Sequence, residues 1–98
     1  MTMEIKKNAD AAIIEIAGRI DTTTAPALEK AIGEEIGDAK NLVLDMKAVQ
    51  YISSAGLRVL LGAQKKMQKI GAMKVTNVCE AVMEVLEMTG FADILVIE

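Results

Sequence analysis

Histidine is missing from this 98-residue chain, and with it the commonest proton shuttle and zinc ligand at neutral pH. Serine and lysine mechanisms survive that absence, but no glycine-rich phosphate loop and no paired metal-binding carboxylates accompany them. The chain is therefore expected not to be an enzyme and to need neither cofactor nor metal. Tryptophan is absent too, and Tyr51 and Phe91 are the only aromatic residues, too few to stack exposed bases. Fourteen acidic against eleven basic residues give a formal charge of -3 with the signs interspersed, so neither a phosphate-tracking stripe nor a membrane-hugging face is drawn. Nucleic acid is not an expected partner. Cys79 is the one cysteine, which rules out an intrachain disulfide and reads, in its apolar setting, as a buried thiol. No apolar run approaches membrane-spanning length, and residues 1–10 are polar and mixed in charge, unlike a signal segment. The expectation is a cytoplasmic protein with no direct membrane insertion.

What is present fits a single domain over residues 1–98, with enough apolar residues for a real core. Residues 3–6 alternate, 8–10 interrupt, and 12–17 resume with β-branched residues until Gly18, which predicts two strands around a turn. Residues 18–26 gather glycine, hydroxyls, an acid and the only proline, a loop entering a helix with Thr24 as cap and Pro26 in the first turn. Ala25, Leu28, Ile32 and Ile36 recur at helical spacing until Gly37 offers a stop. Residues 42–46 are a short apolar run of the kind covered on both faces, predicting a central strand. A helix opened by Ser53 and Ser54 places Leu57, Leu60, Leu61 and Met67 inward, keeps Gln64, Lys65, Gln68 and Lys69 in solvent, and stops before Gly71. Residues 72–76 read as a strand. A helical stripe of Val78, Ala81, Val82, Val85 and Leu86 follows, ending near Gly90, and residues 94–97 close as a strand. The predicted architecture is α/β: a mixed, mostly parallel sheet with helices packed against it, in the order β-β-α-β-α-β-α-β.

One junction departs from core-and-surface logic. Ser53 and Ser54 set two hydroxyls where a strand ends and a helix begins, a place that suits an N-cap and also tolerates added phosphate charge. Gly56 sits inside that helix at a cost of roughly 1 kcal/mol relative to alanine, which requires close packing or the approach of a partner. Arg58, one turn in, fits either contact with an acidic partner or solvation of an exposed face. Asp21, in the neighbouring loop, reads by itself as a loop or cap acceptor.

Given this junction, the loop at 18–21, the strand at 42–46, the segment 49–61 and the late run 88–94, the chain resembles the small single-domain anti-sigma factor antagonists, the STAS fold. The resemblance spans nearly all of the chain. It implies that Ser54, two residues before Gly56 and three before Leu57, is the phosphorylated serine; Ser53 stands where an aspartate is usual. It also implies that Asp21 touches a partner and matters to binding more than to folding. The implied partner-binding set is Asp21, Ser53, Ser54, Gly56 and Arg58. The implied mechanism is partner switching: the unphosphorylated protein binds an anti-sigma factor that is also a serine kinase, releasing a sigma factor. Phosphorylation at Ser54 ends the interaction and a phosphatase restores it. The alternative class is a non-switching STAS adaptor subunit of a transporter or signalling assembly.

Overall fold

The computed structural model describes residues 1–36 and 39–98. Strands β1 (Thr2–Lys7) and β2 (Ala11–Ile20) form the expected hairpin. It is closed where Asn8 N donates to Ala11 O at 3.0 Å and Ala11 N donates to Asn8 Oδ1 at 3.1 Å. Helix α1 (Ala25–Ile36) leads to β3 (Asn41–Ile52), α2 (Ser54–Ile70) to β4 (Ala72–Thr76), and α3 (Glu80–Met88) to a 3-10 turn at Phe91–Asp93. The sheet order is β1-β2-β3-β4, with β1 antiparallel to β2 and the other pairs parallel. The last expected strand is a single parallel bridge between Val75 and Ile97, in which Val75 N donates to Val96 O at 2.8 Å and Glu98 N to Val75 O at 2.9 Å. It is short because Gly90, left-handed at φ 81, stops the helix and residues 91–93 coil before the chain reaches β4. The predicted order of elements holds.

Alternation along the strands selects the core. Ala12, Ile14 and Ile16, Leu42, Leu44 and Met46, and Met73 and Val75 point to one face. There they meet Leu28 and Ile32 of α1, Leu57, Leu60 and Met67 of α2, and Val82 and Leu86 of α3 in one apolar cluster. Central position was expected for 42–46 and is found, but cover on both faces is not. Val43 and Asp45 are only half-buried, because the helices pack over the opposite side.

Several sequence expectations need correction. β2 does not end at Gly18: the chain passes through that residue at φ 102 and continues to Ile20, with the β2–β3 register shifting around it. The same irregularities let β3 run to Ile52, its length hidden by the exposed Lys47, Ala48 and Gln50. Gln64 is buried rather than solvated, because it lies four residues after Leu60 and three before Met67 on the inward face of α2. Its Oε1 has no hydrogen-bond partner among the described residues. Cys79 is half-buried rather than buried; its Sγ–H reaches Val49 O at 3.3 Å, and it precedes α3, leaving Val78 outside the helix. The stop expected at Gly37 lies outside the described residues. At the far end of α2, Gly71 behaves as expected: its N–H closes the helix on Met67 O at 2.7 Å, and a Cβ there would overlap the Lys40 carbonyl. Among the described residues no helix is long and apolar enough to cross a membrane.

Candidate functional site

β2 and β3 run side by side to a common end, with Arg19 paired to Tyr51 and Ile20 to Ile52. Both chains then leave the sheet into turns that open helices, and Ser53 N donates to Ile20 O at 2.8 Å, tying one turn to the other. The site is therefore a product of the sheet register.

Ser53, extended at φ -94 and ψ 175, is the N-cap of α2. Its carbonyl accepts from Leu57 N at 2.9 Å and its Oγ from Gly56 N at 3.4 Å, a long cap. Ser54 is thereby displaced from the capping role and becomes the first helical residue, with its side chain exposed. Of the two adjacent hydroxyls, one is committed to the backbone and the other faces solvent.

Gly56 is buried, not offered to a partner. A Cβ there would stand 2.6 Å from Ile20 Cγ2 and 2.7 Å from Ile52 Cγ1, so the glycine lets the first turn of α2 sit directly on the ends of β2 and β3. Of the two readings left open by the sequence, close packing is the one the geometry supplies.

Asp21 organises the facing turn. Its Oδ1 accepts from Thr23 Oγ1 at 2.7 Å, Thr23 N at 3.0 Å and Thr24 N at 3.1 Å. Its carbonyl accepts from Ala25 N at 2.8 Å, and its N–H donates to Thr24 Oγ1 at 2.8 Å. Thr24 therefore turns its hydroxyl back toward Asp21 and donates to Arg19 O at 2.8 Å instead of capping α1. The Thr23 hydroxyl above all, then the backbone N–H groups, hold the Asp21 carboxyl below its ordinary value of 3.8, against a smaller opposing effect of desolvation. The geometry gives Asp21 the loop-acceptor role that its residue type alone suggests: it shapes its own turn.

Arg58 is exposed and lines a cleft of about 210 Å³ between the helix openings, together with Thr22, Pro26, Glu29 and Ala55. Sequence reasoning missed the Arg19–Tyr51 pair, in which the guanidinium lies 4.2 Å from the ring centroid. The residues sit 32 positions apart, and only the β2–β3 register, shifted twice, brings them opposite. Arg19 Nε also stands 3.8 Å from Asp21 Oδ2, linking this stack to the turn. No group of three or more histidine, cysteine or acidic residues is placed to hold a metal among the described residues. The chemistry the arrangement offers is recognition and modification of a hydroxyl at a helix start.

Comparison with known proteins gives this geometry a context. The model of the STAS domain family matches residues 2–98. The chain is 31% identical over 96 residues to the anti-sigma-B factor antagonist of Bacillus subtilis, covering 97% of this chain and 88% of that protein. It is 38% identical over 68 residues to the anti-sigma-F factor antagonist RsfB of Mycobacterium tuberculosis, covering 68% of this chain and 56% of that one. The crystal structure of an anti-sigma factor antagonist from Mycobacterium paratuberculosis superposes with a TM-score of 0.89 at 30% identity, covering 98% of this chain and 83% of that one.

Proposed function

Because the chain belongs to the STAS domain family, we propose that it is an anti-sigma factor antagonist that works by partner switching through Ser54. Unphosphorylated, it binds an anti-sigma factor that is also a serine kinase and so frees a sigma factor. Phosphorylation of Ser54 ends the complex, and a phosphatase resets it. The relatives named above carry the antagonist role in their names.

The observation that carries the reading is the division of labour between the two serines. Ser53 supplies the cap, so the exposed Ser54 hydroxyl is free to be modified without loss of a structural bond. A phosphate adds about -1.5 to -2 charge, which the N-terminus of α2 stabilises within the protein while bulk and like charge exclude a partner. Around Ser54 the contact surface would draw on Asp21, Ser53 and Arg58, with Gly56 seating the helix beneath them. The switch then requires no refolding.

The test is incubation with a serine-kinase anti-sigma protein and ATP, followed by intact-mass measurement and site mapping. One added phosphate on Ser54, absent in Ser54→Ala, is expected, with weaker binding of the phosphorylated form to the same partner. Phosphate found on Ser53, or equal affinity of the two forms, overturns the mechanism. An unmodified Ser54 with unaltered binding would return the chain to the non-switching adaptor class.

A further inference from the structure

The sheet has an outer edge at β1, and among the described residues only β2 pairs with that strand. Antiparallel strands alternate between residues whose backbone groups face the neighbour and residues whose groups face away. Asn8 N donates to Ala11 O, so the inward-facing positions count back from Asn8 as Lys6, Glu4 and Thr2. Ile5, between Glu4 and Lys6, therefore directs its N–H and C=O outward from the sheet. Its side chain lies on the helix-covered face, opposite the fully buried Ile14, yet is 41% exposed because the core stops short of the edge.

We infer that β1 is a self-association surface, joining two copies of this chain edge to edge into one continuous eight-stranded sheet. Charge selects the register. A two-fold axis centred at Glu4 would set Glu4 opposite its own copy, and one centred at Lys6 would set two lysines opposite each other. Centred at Ile5, the axis sets Glu4 opposite Lys6 of the second copy, twice, in the close non-hydrogen-bonded pairs, while the two Ile5 residues exchange both backbone hydrogen bonds. On the other face the two half-exposed Ile5 side chains cover one another. A lysine on an edge strand normally guards against indiscriminate pairing; a glutamate two positions before it turns that guard into a register key. Lys6 already reaches Glu15 at 3.3 Å on the same face, so in the dimer it would be flanked by two carboxylates, one from each chain. This surface is independent of Ser54, which lies beyond β3.

The test is sedimentation of the whole chain from micromolar to millimolar concentration. The wild type is expected to move from the 10.5 kDa chain mass toward twice that mass. Glu4→Lys alone and Lys6→Glu alone each convert both attractive pairs into repulsive ones, and each should raise the dissociation constant at least about tenfold. An equimolar mixture of the two variants restores complementarity at both pairs and should associate as the wild type does, which also controls for the lost Lys6–Glu15 contact. Ile5→Pro removes the outward N–H while sparing the bonds to β2, and should leave a monomer whose β1–β2 amides remain protected from exchange. A wild type that stays monomeric throughout, single-charge variants that dimerise undiminished, or a mixture that fails to associate would each overturn the proposal.

Discussion

One oxygen of Asp21 takes the Thr23 hydroxyl and the N–H groups of Thr23 and Thr24, and this concentration decides how its loss is felt. Asp21→Ala is expected to lower the thermal midpoint at neutral pH, because Thr23 N–H loses its acceptor and Thr24 N–H keeps only the residue-21 carbonyl at 3.2 Å. Since the folded carboxyl ionises below its ordinary 3.8, its contribution to stability is fully present above that value and is lost as pH falls through the lower folded value. Melting curves of wild type and variant should thus converge on acidification; a gap that persists well below pH 3.8 would contradict the hydrogen-bond account. The serines should separate in a urea titration. Ser53→Ala loses the cap, about 0.5 kcal/mol, the low end for a cap because its bond is a long 3.4 Å, whereas Ser54→Ala should leave the urea midpoint nearly unmoved. The sequence marked this pair as special but did not divide the roles, because capping depends on backbone angles that two adjacent serines leave equally open.

Glycines within the helices separate by what surrounds them. At Gly56 a methyl group would press on Ile20 and Ile52, both β-branched and stiff, so Gly56→Ala should destabilise by about 1–3 kcal/mol despite its better helix propensity. At Gly33 and Gly62 an added Cβ meets nothing within 4 Å among the described residues beyond its chain neighbours and its own helix backbone, and alanine at either should stabilise by about 0.4–1 kcal/mol. Urea midpoints of the three variants settle the contrast; a stabilised Gly56→Ala would mean the helix start is not seated on the strands as described. Leu60, fully buried, should lose about 2–5 kcal/mol on truncation to alanine. The helices and the order of elements were legible because their apolar stripes repeat at helical spacing. The full length of β3 was not, since two register shifts and the exposed stretch around Lys47 break the alternation on which strand recognition depends.

Across the whole molecule the two ends of the sheet are held differently. At the amino end of the parallel strands, Lys40 N and Asn41 N donate to Asp10 O at 3.0 Å each, and Ala72 N donates to Lys40 O at 2.9 Å. Backbone groups alone make this stitching, and Gly71 allows it by carrying no side chain into the Lys40 carbonyl. At the carboxyl end the turns depend more on side chains, those of Asp21, Thr24 and Ser53. Native-state hydrogen exchange should show β2 and β3 amides opening only with global unfolding, while residues 96–98, held to β4 by one bridge and the exposed Lys74–Glu98 ion pair, exchange through local fraying. Uniform protection through the C-terminus would contradict this gradient. The sequence showed which residues lie near the site but not that Arg19 and Tyr51 meet there, since long-range register is a property of the assembled sheet.

That stacked pair has an optical consequence. Tyr51 is the only tyrosine, there is no tryptophan, and a guanidinium lies against its ring beside the turn that opens α2. Nearly all the intrinsic near-ultraviolet emission of the chain therefore originates a few residues from Ser54. The phosphate and the partner proposed for Ser54 would each be followed as a change in that emission, without a label or an introduced reporter.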